Sequence, residues 1–237
     1  HSTQMVELTF PRRGRYSQDT FFLSSKFPFG FLLKTRKLDS ANEIIVYPPV
    51  APTEEFYEIL PLLSGEVESY SKGRGHDLYA IRDYQTTDSV RHVDWKATAR
   101  TLEMKVREFT REGERRVQLV FDPFLPADAR DNPAWHGRFE RAVTFCACLA
   151  WHFQEINSQL QFRSPTLEIP MTAAGDIIYD VLHELALVEP QHGDDGEFLH
   201  ALDPLDDTFK VLLTAREAGS LPTSLWASSY VVFFQSL

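Results

Sequence analysis

Val117-Gln118-Leu119-Val120-Phe121-Asp122, followed after a polar stretch by RFERAVTFCACLAWHFQEI from Arg138 to Ile156, decides the fold. The first piece is a short apolar run ended by a carboxylate, the pattern of a strand buried on both faces. The second has two apolar faces at helical spacing. Phe139, Val143, Cys146, Ala150 and Phe153 form one, and Phe145, Leu149 and Ile156 the other, so a helix covered on both sides is expected. The same alternation continues downstream. Leu160 to Phe162 and Leu167 to Ile169 read as short strands, Asp176 to Val188 as an amphipathic helix, and Phe209 to Thr214 and Tyr230 to Phe234 as further strands. Buried strands alternating with helices predict a mostly parallel sheet flanked by helices, an α/β domain over residues 117–237.

Upstream the period changes. Val6, Leu8 and Phe10 alternate at period two, and Phe21 to Ser24, Gly30 to Leu33 and Glu43 to Tyr47 are rich in strand formers. Turn-like breaks fall at Pro11 to Arg15 and at Lys26-Phe27-Pro28-Phe29-Gly30. Short strands at this spacing predict an N-terminal antiparallel β-sandwich-like domain over residues 1–69. Within residues 48–76, Pro48, Pro49, Pro52 and Pro61 and the Lys72-Gly73-Arg74-Gly75 run read as a connection. That basic run lacks the Gly-Lys-Ser/Thr ending of a phosphate-binding loop, and a surface loop is expected. Residues 70–116 link the two domains.

Composition narrows the classes. The chain has 43% hydrophobic and 24% charged residues, ordinary for a globular protein. No apolar run approaches the roughly 20 residues that span a bilayer. The chain opens at His1 rather than Met, so it reads as trimmed, and any upstream anchor lies outside it. Cys146 and Cys148 stand about 200° apart around a helix, so they neither pair nor share a metal and read as core residues of a reducing compartment. The net charge of −10 is uneven: residues 70–116 carry 11 basic and 8 acidic side chains, residues 117–237 carry 6 and 17. So acidic a half argues against general nucleic-acid binding.

The most distinctive block is LYAIRDYQTTDSVRHVDWKATARTLEMKVREF, Leu78 to Phe109. Arg82 and Tyr84, Asp88 and Arg91, Val93-Asp94-Trp95 and Thr98-Ala99-Arg100 fill every place of a pattern Arg-x-Tyr, Asp-x-x-Arg, aliphatic-Asp/His-Trp-x-x-Ser/Thr-Ala-Arg. In this the chain resembles the bacterial family catalogued as domain of unknown function fifty-eight. Arg13-Gly14-Arg15-Tyr16, Phe27-Pro28-Phe29-Gly30 and Val46-Tyr47-Pro48 are similar to that family's N-terminal β region. The resemblance implies a von Willebrand factor A-like, Rossmann-type domain after the signature and, in many members, two transmembrane helices before the β region. It also implies a partner, an AAA+ ATPase of the MoxR type, in a chaperone-like role. If such helices exist upstream, the chain is expected on the cytoplasmic side of the inner membrane, otherwise in the cytoplasm.

The arginines, aspartates and Lys96 between Arg82 and Arg100 cannot all be buried unpaired. Arg–carboxylate pairs, with Trp95 as a face for stacking, predict a bracing network. Arg82, Tyr84, Asp88, Arg91, Asp94, Trp95, Lys96 and Arg100 are also the candidate docking surface.

A von Willebrand-type domain holds Mg²⁺ through Asp-x-Ser-x-Ser after its first strand, with a Thr and an Asp from later loops. Here that run is Asp122-Pro123-Phe124-Leu125-Pro126, and Thr214-Ala215-Arg216 follows a later strand. Both hydroxyls are gone and a cation has entered, so a lost metal site is expected, and with it no cofactor. His192, Asp194, Asp195, Glu197 and His200 read as a solvated loop, and His152 as a core histidine. The expectation is a non-enzymatic scaffold or adaptor. Its alternatives are a hydrolase using Asp88, His92 and Asp94, near which Ser89 reads equally as a turn residue, and an anionic-polymer module built on residues 70–116.

Overall fold

Strand formers on both sides of a Pro-Gly turn make the first element a long ribbon. β1 (Gly14–Ser25) pairs antiparallel with β2 (Lys34–Val46), from Gly14 opposite Val46 to Ser25 opposite Lys34, with a register shift between Gln18 and Thr20. The structure, a computed structural model, describes residues 9–28, 30–74, 80–85, 93–101, 103–108, 116–126, 129, 132–193, 196–202 and 208–237. Within the described part of the first fifty residues, this one two-stranded sheet stands where several short strands of a sandwich are expected. Two readings account for the difference. Residues 30–33 belong to the connection, not to a strand, and the polar stretch around Asp39 and Asn42 is carried inside β2 without breaking it.

The expected connection over residues 48–76 is mostly helix. α1 (Glu54–Arg74) contains Pro61 and ends in the basic glycine run that reads as a loop. Its signal is a narrow stripe: Phe56, Leu63 and Val67 are buried, with Ile59 and Leu60 packed beside them. Glu54 and Glu55 favour the positive end of the helix. A proline in the first half of a helix removes one backbone bond, and packing along such a stripe overrides that loss. Phe56 meets Phe145 edge-on, 5.9 Å between centroids, so this helix joins the core of the C-terminal half.

The signature block folds as β3 (Ala80–Asp83), α2 (Trp95–Thr101) and β4 (Lys105–Glu108), the two strands antiparallel and Val93 bridging Val106. The C-terminal half then follows as β5 (Arg116–Phe121), β6 (Phe124–Leu125), α3 (Pro133–Glu155), β7 (Gln159–Arg163) and β8 (Glu168–Ala173). After these come α4 (Ala174–Leu187), β9 (Gln191–His192), α5 (Gly196–His200), β10 (Phe209–Thr214) and β11 (Ser229–Phe233). Its five-stranded mixed sheet has the order β11-β10-β5-β7-β8, parallel except for β8. α3 starts where a polar residue and a proline allow it: Asn132 accepts from the Ala134 N–H at 3.0 Å and Pro133 takes the first position.

Alternate strand residues feed two cores. Val117, Leu119 and Phe121 face α3 and α4, while Val120 and Leu212 pack with Leu199, Leu202, Leu221 and Leu225. Phe121, Phe139 and Phe234 meet at 5.8 to 6.1 Å between centroids. Cys146 and Cys148 are buried free thiols on α3, and burial pushes Cys148 up to about 11. Among the described residues no helix is long and apolar enough to cross a membrane.

Candidate functional site

Strand order reverses at β5. The chain leaves β5 through α3 for β7 and β8 on one side, then returns through α4 to β10 and β11 on the other. Open α/β sheets hold ligands in the crevice outside the carboxyl ends of the strands at such a reversal. Here that place is occupied by Asp122, directly after β5, and by Thr214 at the end of β10. The Asp122 N–H bonds to the Leu213 carbonyl at 2.9 Å, so the ladder itself fixes the backbone.

The Asp122 side chain is fully buried. Its Oδ2 accepts from the Thr214 hydroxyl at 2.7 Å and from Arg216 Nε at 2.9 Å; its Oδ1 accepts from the Phe124 N–H at 3.2 Å. The Arg216 N–H in turn bonds Thr214 Oγ1 at 3.1 Å, and the guanidinium lies 5.5 Å from the Phe124 ring centroid. Burial pushes the Asp122 carboxyl above its ordinary value, against the opposing pull of Thr214, Arg216 and the Phe124 amide. The arrangement is a carboxylate closed from within by an arginine.

Mg²⁺ requires a near-octahedral shell of hard oxygens. A guanidinium already sits on Oδ2, and Phe124 and Pro126 bring carbon where hydroxyls are needed. The residues present do not fit the ion. Among the described residues no three His, Cys, Asp or Glu side chains gather as a metal cluster. Of the acidic loop, His192 lies on β9 and Glu197 and His200 on α5; Asp194 and Asp195 fall outside the described residues.

The signature residues divide. Asp94 is buried and caps α2, its Oδ1 accepting from the Lys96 and Ala97 N–H groups at 3.0 Å each. Its own N–H reaches the Lys105 carbonyl at 2.8 Å, and Thr98 Oγ1 accepts from the Lys105 N–H at 3.0 Å. Lys105 also pairs with Asp83 and Glu103. Tyr84 is half-buried, its N–H on the Met104 carbonyl at 2.9 Å. Trp95, Lys96 and Arg100 are exposed on α2, Trp95 at 65%. Arg82 lies in β3 opposite Val106. Asp88, Ser89, Arg91 and His92 fall outside the described residues.

Sequence reading missed the role of Arg13. Its side chain is 9% exposed, binds both oxygens of Glu140 at 3.0 Å, and donates to the carbonyls of Leu185, Ala186 and Val188 at 2.6 to 3.1 Å. These carbonyls end α4, where a cation is favoured. Gly14, at φ 130, turns the chain from this anchor into β1. The only signal in the sequence is a basic residue beside a glycine at a strand start.

A model of the family described as "Protein of unknown function DUF58" matches residues 80–211, more than half of the chain, inclusive of the signature positions Arg82 to Arg100 and strands β5 to β8. No curated protein and no solved structure matches the chain.

Proposed function

The chain belongs to that family, Protein of unknown function DUF58, and from this premise we propose that it is a protein-binding adaptor without chemistry of its own. Its α/β half is the docking part, of von Willebrand factor A-like type, and its partner is a MoxR-type AAA+ ATPase. The ribbon and the signature block hold that half in place. The sheet order, with one antiparallel edge strand and a core on each face, supports the domain reading. One observation carries the rest: the Arg216 guanidinium neutralises Asp122 in place, at the position where such domains recruit partners through a metal. A fixed internal cation gives a surface that binds without Mg²⁺.

Calorimetric titration of the chain with the MoxR-type ATPase of the same genome, in EDTA and in excess Mg²⁺, tests this. A control adds Mg²⁺ to the chain alone. Saturable binding of equal strength in both buffers, with no heat in the control, is the expected result. Mg²⁺ binding by the chain itself overturns the metal-free reading. No ATPase binding overturns the partner and moves hydrolysis and anionic-polymer binding to the front.

A further inference from the structure

Beyond its anchored root the ribbon β1–β2 carries large apolar side chains into solvent. Phe22 is 69% exposed, Phe27 86% and Phe31 84%, with Leu23, Leu32 and Leu33 exposed beside them. Apolar surface of this extent on one projection marks a binding surface. Two features choose the occupant. The first is charge. Between Phe21 and Leu38 the chain has Lys26, Lys34, Arg36 and Lys37 and no acidic residue, in a protein of net charge −10. Lys37 sits opposite Phe22 and Arg36 opposite Leu23, so cations stand level with the apolar groups. Lys37 also pairs at the surface with Asp39, where the acidic part of the ribbon begins.

The second feature is the distribution of the apolar groups. Successive strand residues point to opposite faces, so Phe22 faces away from Phe21 and Leu23, and the turn adds Phe27, Phe31 and Leu32. A groove in a folded partner covers one face. A fluid bilayer surrounds a projection on every side. From Ser25 back to Phe22 the strand spans roughly 10 Å, comparable to the roughly 5–10 Å at which interfacial elements bury their apolar side chains. Lysine and arginine at that depth extend toward headgroups while their stems stay in apolar surroundings. From this geometry and charge we infer that the ribbon tip, with Phe22, Leu23, Phe27, Phe31, Leu32 and Leu33, inserts into the interface of an anionic lipid bilayer.

The test is co-sedimentation of the full chain with phosphatidylcholine vesicles, alone or mixed with phosphatidylglycerol. Binding to the mixed vesicles, weakened by salt, is expected. The triple variant Phe27→Ser, Phe31→Ser, Leu32→Ser loses at least about tenfold in vesicle affinity. The triple variant Lys26→Gln, Lys34→Gln, Arg36→Gln loses roughly fivefold per charge on the mixed vesicles. Because these side chains are exposed, both variants keep the parent far-UV circular dichroism and denaturation midpoint. The inference is overturned by absence of binding to phosphatidylglycerol vesicles, or by binding that survives the apolar triple. It is equally overturned if sedimentation velocity finds a dimer that this triple abolishes, since a second copy then covers the tip.

Discussion

β10 and the outer half of β1 are both apolar strands, and the molecule treats them oppositely. All six residues of β10 are buried between two cores, while Phe21, Phe22 and Leu23 of β1 stand in solvent. The side chains do not make the difference. β10 is central, hydrogen-bonded on both edges and covered on both faces; among the described residues β1 has one partner strand and no layer over its outer half. An apolar run announces that something will cover it, and only topology decides whether that cover belongs to the same described fold.

The largest effect that would break this contrast comes from matched phenylalanines. Phe139→Ala, inside the Phe121–Phe139–Phe234 cluster, is expected to lose about 3–5 kcal/mol in denaturant unfolding. Phe22→Ser on the ribbon should stay within about 0.5 kcal/mol. Comparable losses would mean that the ribbon is covered after all.

Next is Arg216→Leu, which leaves the Asp122 carboxylate buried without its cation and should lose about 3 kcal/mol at neutral pH. Adding Asp122→Asn to it should restore most of that loss. Burial already raises the Asp122 carboxyl, and without the guanidinium it rises further. A carboxyl with a folded pKa above its unfolded one keeps its proton longer in the fold. Its stability is therefore highest below the ordinary carboxylate range and falls as pH climbs through the folded pKa. The Arg216→Leu penalty should accordingly be smallest in acid, read from unfolding midpoints across pH; the opposite slope would show that Asp122 does not govern it.

Arg13→Ala should lose about 2 kcal/mol, the scale of charge-assisted bonds at a buried position, and speed amide exchange from Gly14 to Ser17. Exchange confined to α4 would show that the anchor serves the helix rather than the ribbon. The smallest effect is expected in the signature block. Asp94→Ala removes the α2 cap and should lose about 1 kcal/mol, recovered by Asp94→Asn.

The C-terminal half was legible because its strands are continuously apolar and its helices repeat at 3.6 residues. Val117 to Phe121 and Phe209 to Thr214 fall within one residue of the strands that form. α1 was not legible, since four prolines over residues 48–61 outweigh a stripe of five apolar positions. That Phe124 and Pro126 offer no hydroxyl to a cation could be read from the sequence alone. That Arg216 closes on Asp122 could not, because the two lie 94 positions apart and meet only when β10 pairs with β5. Asp94 carries a similar lesson: the sequence places it in a dense polar motif, and only the fold shows that its carboxylate caps α2.

The Arg13 anchor also has a mechanical consequence. One guanidinium grips Glu140 on α3 and the last carbonyls of α4 at the base of a lever made of two strands of 12 and 13 residues. A pull or torque on the far end of that lever would be borne at this guanidinium, on α3 and on the end of α4 alike, and α4 leads through β9 and α5 into β10, the strand that carries Thr214. A load on the tip would therefore fall on the helix that leads to the Asp122 crevice.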